Sequence, residues 1–175
     1  TYDFGDLPDT GAGTSAANYQ TLSSDSGPSH AIVTGLRFGA TVDDESDGQP
    51  NATASGDGAD EDGLGFPSPL VAGRPVNLTL NGGAAADNQY CINLFADFNS
   101  DGDFADSGEH AISESLRSTG SQGLVFSSPS TATGAMGVRV RMTDACGQNG
   151  NSPTGAAVNG EVEDYLLGAI GNYVW

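Results

Sequence analysis

Apolar residues recur at every second position in several short stretches of this chain, and no stretch sustains helical spacing with credible caps. In PVNLTL (75–80), Val76, Leu78 and Leu80 alternate with Asn77 and Thr79, which predicts a half-buried strand. QYCINLFA (89–96) places Tyr90, Ile92 and Leu94 on one face, and GVRVRMT (137–143) sets Val138, Val140 and Met142 inward with Arg139 and Arg141 outward. VEDYLLGAI (162–170) supplies a last strand, 124–127 another, and HAIVTGLRF (30–38) a short one interrupted by Gly35. The first thirty residues read as irregular, punctuated by Pro8, Gly11, Gly13 and Gly27-Pro28. Residues 40–70 read as mostly loop, and connections of that length are usually functional or tied down by a ligand. Short strands between turn-rich segments predict an all-β fold, an antiparallel β-sandwich of jelly-roll-like or Ig-like type.

Composition narrows the reading. A chain of 175 residues is the size of one domain, and its 26 glycines fit long connections. No apolar run approaches the roughly 20 residues a bilayer needs, so direct membrane insertion is not expected. Five basic residues face 23 acidic ones, a formal charge of −18, which speaks against nucleic acid as a partner because phosphates need Lys and Arg.

The placement of the acids matters more than their number. Nineteen of the 23 fall in five clusters: Asp3 to Asp9, Asp43 to Asp47, Asp57 to Asp62, Asp97 to Glu109, and Glu161 to Asp164. Crowded carboxylates repel one another by about 1 kcal/mol or more per close pair, and a bound divalent cation reverses that sign.

The strongest local signal is DFNSDGDFADSGE (97–109). Asp97, Asn99 and Asp101 alternate as oxygen donors, Gly102 permits a sharp turn, and Asp103 offers a backbone carbonyl, as in the first half of an EF-hand loop. The twelfth position is Gly108 and the flanks read as strands, so a calcium loop between two strands is expected, closed by Glu109 or Asp106. The competing reading is an Asx-rich turn that holds itself by side-chain hydrogen bonds. The second signal is Gly160 to Tyr165. Alternation puts Glu161, Glu163 and Tyr165 on one face, and Val162, Asp164 and Leu166 on the other. Carboxylates on both faces of a strand must be paired or coordinated, by Arg139 and Arg141 or by calcium. A second calcium shared between a loop acid, Asp60 or Asp62, and this strand (Glu161, Glu163, Asp164) is the expectation. Asp57 and Glu61 belong to the same Gly-rich stretch, and Asp3, Asp6 and Asp9 either fold around an ion or cap backbone amides.

Catalysis is not expected. There are two histidines, His30 and His110, and no nucleophile-elbow sequence. His30 reads as a buried hydrogen-bonding residue at the start of a strand, and His110 as facing solvent. Two distant cysteines and two histidines form no zinc spacing, and acids held at calcium are poor general acids. Cys91 and Cys146 are compatible with one disulfide.

The chain resembles the GEVED domain family of bacterial secreted and surface proteins. The signature is Gly160 to Tyr165. Asp3 to Asp9 (DFGDLPD), Gly27 to His30, Gly39 to Gly48, Gly56 to Gly63, the DFNSDGD loop and Pro153-Thr154-Gly155 resemble family segments in the expected order. Phe95 stands where a Trp is common, and the two cysteines look like additions to the pattern. The resemblance implies a β-sandwich accessory module over residues 1–170, extracellular, monomeric within a multidomain chain, with calcium as its ion. Its partner would be an unknown extracellular ligand, protein or glycan, in adhesion or structural spacing. A calcium-dependent carbohydrate-binding module is the alternative. The final GNYVW (171–175) is similar to the opening of the B-type repeats of serine-aspartate-repeat surface proteins and reads as the start of a following domain or linker.

Overall fold

A computed structural model describes residues 1–56, 58, 60–66 and 70–170. Asp57 and the segment 171–175 lie outside the described residues. The fold is all-β, with one short 3-10 turn at Ser23–Asp25. The strands in chain order are β1 (Tyr2–Phe4), β2 (Ser29–Ala31), β3 (Arg37–Phe38), β4 (Leu64–Gly65), β5 (Leu70–Val71), β6 (Pro75–Gly83), β7 (Gln89–Ala96), β8 (His110–Ser118), β9 (Gly120–Ser127), β10 (Gly134–Thr143) and β11 (Glu161–Ile170).

A five-stranded sheet runs β5-β11-β10-β7-β8, antiparallel except for the parallel β5–β11 pair. In the other large sheet, β9 follows β6 from Pro75 to Gly82, and the short β3 and β4 pair with β6 along its other edge. A two-stranded β1–β2 ribbon completes the set. One apolar core joins the two large sheets. Val76, Leu78 and Leu80 of β6 and Leu124 and Phe126 of β9 pack in the same cluster as Tyr90, Ile92 and Leu94 of β7 and Val138, Val140 and Met142 of β10. Buried and exposed positions alternate along β6, as its sequence predicts.

The five-stranded sheet is covered on its second face as well. β7 is buried at every position after Gln89, because Phe95 packs with Leu7, Tyr19, Ala54 and Phe104 in a smaller cluster under the N-terminal segment. This overturns one expectation. Arg139 and Arg141 do alternate away from the apolar core, but they are fully buried rather than outward, because residues 1–31 and 152–155 cover them. Other expectations shift in extent. The 30–38 stretch is two short strands separated by a turn, the 124–127 strand starts at Gly120, and the sequence reading misses β8 as well as the short β1, β4 and β5.

Most of the N-terminal third has no strand ladder to satisfy its backbone, and acid side chains take over that work. Asp9 Oδ2 accepts from the amides of Thr21 and Leu22, Asp47 Oδ1 from Ser23 and Gly48, and Asp6 Oδ2 from Gly56. These are charge-assisted hydrogen bonds, and the buried Asp6 recovers through them part of its desolvation cost. Cys91 of β7 and Cys146 form a disulfide across 55 residues of sequence.

Candidate metal centre

The turn 97–109 leaves β7 and returns as β8, so its acids lie at one end of the five-stranded sheet. Asp97 is fully buried; its Oδ2 accepts from Tyr19 Oη at 2.7 Å and from the Gly102 amide at 2.9 Å. Burial raises the Asp97 carboxyl above its ordinary range. Asn99 Nδ2 lies 2.9 Å from Asp101 Oδ2 and 2.6 Å from Asp106 Oδ2, so three side chains converge on one point. Asp103 turns away, its Oδ1 accepting from the Ala105 amide at 2.8 Å. Glu109 is buried beneath the turn and accepts from the amides of Phe98 and Asp106. Burial, with the charges of Asp97 and Asp106, pushes its carboxyl up to about 7. Gly102 has φ +94°, and a Cβ there would stand 1.7 Å from the Ser15 carbonyl oxygen, so the turn is pressed onto the N-terminal segment. The turn makes many of the hydrogen bonds of an Asx-rich loop, and Asp106, not Glu109, stands beside Asn99 and Asp101.

The GEVED strand β11 splits its acids between two faces, as alternation predicts. Residues opposite each other in an antiparallel pair point the same way. Asp164 lies opposite Arg139, and Glu163 and Glu161 lie opposite Val140 and Met142, on the side of the apolar core. Asp164 therefore meets the guanidinium: Arg139 Nε donates to Oδ1 and Nη2 to Oδ2, both at 2.8 Å. Its Oδ2 also accepts from the amides of Asp6 and Leu7. The structure gives Asp164 to Arg139 and to backbone amides rather than to an ion, which corrects its assignment as a metal ligand. The guanidinium of Arg139 fills its remaining donors with the carbonyls of Gln20 and Pro153 and the Thr21 hydroxyl.

The hydrogen bonds described for Arg141 go to neutral groups, while the charges of Asp164 and Asp3 act on it from nearby. It donates from Nε to His30 Nε2 at 2.9 Å and otherwise to the carbonyls of Ser29, Ser152, Thr154 and Gly155. Burial and the neighbouring Arg139 charge lower Arg141 to about 9. His30 is fully buried with Nδ1 at 2.8 Å from the Asn159 carbonyl, so Nδ1 carries the proton and Nε2 accepts from Arg141. Its burial and the Arg141 charge hold it neutral. The anchoring role read for His30 is thus what the fold shows. His110 differs from expectation: it is half-buried, stacked on Phe95, and bonded through Nε2 to Asn93 Oδ1.

On the core side, Glu161 accepts from the Phe38 amide, and Glu163 from the amides of Asp62 and Gly63 and from Tyr165 Oη. Asp62 is exposed and binds the Ala40 amide. The carboxylates that come within 4.8 Å of one another, close enough to share an ion, form two triads. The inner is Asp3, Asp60 and Glu161, all buried; the outer is Asp43, Glu45 and Asp60, opening to solvent at Asp43. Of the residues singled out in the sequence, Asp60 and Glu161 are brought together; Asp62 and Glu163 sit beside them on backbone amides. In the sequence Asp3 reads, with Asp6 and Asp9, as folding around an ion or capping amides, whereas Asp43 and Glu45 are visible only as members of an acid cluster. Burial raises all the inner carboxyls for which a direction is resolved. Glu161 lies well above its ordinary value, with Glu163 and Asp60 adding repulsion, and Asp60 rises to about 6. Burial and the Asp62 charge hold Glu163 at about 8.

These features define an all-β domain whose two large sheets share a core and whose seam is lined with buried acids. Residues 91–168, from β7 into β11, match the family model of the GEVED domain. No curated protein and no solved structure matches the chain.

Proposed function

We propose that this chain is a non-catalytic, calcium-binding extracellular module of a larger bacterial surface or secreted protein, serving adhesion or structural spacing. In this reading the two sheets are the halves of an antiparallel sandwich, and calcium fixes its long loops. The observation that carries the reading is the convergence of Asn99, Asp101 and Asp106 above the buried Asp97. Asn99 Nδ2 donates to both carboxylates while its Oδ1 accepts from the Asp101 amide; a cation seated between Asp101 and Asp106 would supply the counter-charge that a neutral amide gives them only in part. Calcium is favoured among cations because every donor is a hard oxygen.

A sugar-binding role has less support. Stacking on sugar rings calls for exposed aromatic faces, and among the described large apolar residues that are exposed, Tyr2 is the single aromatic.

The test is thermal unfolding in millimolar calcium and again in excess chelator, on the parent chain and on Asp101→Ala. The variant should lose about 1–3 kcal/mol of the calcium-dependent stabilisation, the value of a 10–100-fold weaker site, and melt like the parent in chelator. Identical melting of the two proteins in calcium would remove the turn from the reading.

A further inference from the structure

The inner triad has a feature that acid crowding alone does not explain. Asp60 is 94% buried, its relative exposure being 6%, and its Oδ1 has no hydrogen-bond partner among the described residues. Its Oδ2 accepts a 3.3 Å bond from the Asp43 amide. Among the described residues neither Asp60 nor Glu161 is in a salt bridge. A buried carboxylate oxygen left without a donor costs several times the net value of one hydrogen bond. The fold nevertheless sets the Asp60 carboxylate within 4.8 Å of two further carboxylates.

We propose that Asp3, Asp60 and Glu161 form an interior site for one calcium ion, entered past Asp43 and Glu45, which pins the N-terminal strand and the 60–63 segment to β11. Two oxygens on opposite sides of a calcium ion, each at about 2.4 Å, stand about 4.8 Å apart. The triad spacing falls within that limit. Each ligand is held by a different element. Asp3 lies on β1 and accepts from the Val162 amide, Glu161 opens β11 and accepts from the Phe38 amide, and Asp60 accepts from the Asp43 amide. Asp60 Oδ1 and one carboxylate oxygen each from Asp3 and Glu161 supply the first ligands, and water entering at the exposed Asp43 side completes a shell of six to eight. The proposal does not depend on the Asp97–Glu109 turn holding an ion.

Calorimetric titration of the whole chain with calcium, after chelator treatment, separates the two sites. Asp60→Asn should lose one binding equivalent that Asp101→Asn retains. In chelator, Asp60→Asn should melt at or above the parent, because an uncompensated buried charge has been neutralised, while its calcium-induced rise shrinks. Glu161→Gln, which keeps an oxygen for the Phe38 amide, repeats the test from another element should Asp60→Asn fail to fold. Loss of an equivalent in these variants upholds the interior site even if the turn binds nothing. Retention of every equivalent at unchanged affinity in both overturns it.

Discussion

Arg139 shows how much of this fold rests on single side chains. All five of its N–H groups are used, two on Asp164 and three on the N-terminal segment and the 153 turn, with no solvent in reach. Breaking a buried pair leaves an uncompensated charge, so Arg139→Met should cost about 3–5 kcal/mol. A urea unfolding curve would show this as a lower midpoint at unchanged slope. The double variant Arg139→Met/Asp164→Leu should recover only part, because Asp164 also holds the amides of Asp6 and Leu7. Gly5 belongs to the same contact. A Cβ there would stand 2.3 Å from Asp164 Oδ2, so the glycine lets the N-terminal backbone close over the ion pair. Alternation along GVRVRMT predicts which face these arginines take; it cannot say what covers that face. Part of the cover comes from 152–155, but the rest comes from more than 110 positions earlier in the chain, as the contact of Arg141 with His30 illustrates.

At the scale of elements, the strands with clean two-residue alternation were legible, β6, β7 and β10 above all. β8 was not. Its positions are half-buried or exposed in no strict order, and its pairing with β7 is irregular between Ile92 and Phe95. A broken register erases the period that a sequence reading relies on. The candidate site divides in the same way. The 97–109 turn is local and was readable, and so was the split of the GEVED acids across two faces. The inner triad joins positions 3, 60 and 161, and only the packing of β1 and the long loop against β11 reveals it. The disulfide was left open for a related reason, since two cysteines fix a possibility and not a distance. Closing a loop of 55 residues removes about 4 kcal/mol of unfolded-state entropy in the chain-entropy picture. Reduction under native conditions should therefore lower the unfolding free energy by about that much; an unchanged midpoint with two free thiols titrated would show the bridge to be dispensable.

For the molecule as a whole, buried acids set the response to pH. Glu109, Glu161, Glu163 and Asp60 all titrate higher folded than unfolded. Between those two values the folded chain holds more protons, so their contribution is complete at low pH and is lost as pH rises. Without divalent cations, stability should fall from about pH 5 to about pH 8. His30 works against this trend below its ordinary value of 6.5, because the unfolded chain gains a proton there that the fold refuses. One histidine is outweighed by four carboxylates. Calcium competes with protons for the same oxygens, so melting temperatures in calcium should hold level or climb over that range. Parallel pH profiles with and without calcium would contradict the link between buried acids and metal.

The burial of the two central arginines has a further consequence. All basic side chains here are arginines, at 37, 74, 117, 139 and 141, and there is no lysine. A trypsin-like protease needs one of them in an extended, accessible stretch. Arg139 and Arg141 are sealed inside, Arg37 and Arg117 are half-buried within paired strands, and exposed Arg74 precedes Pro75, a bond such proteases avoid. The folded domain thus presents almost no scissile bond to an enzyme of that specificity, and cleavage after residue 139 or 141 can occur only in chains that have opened.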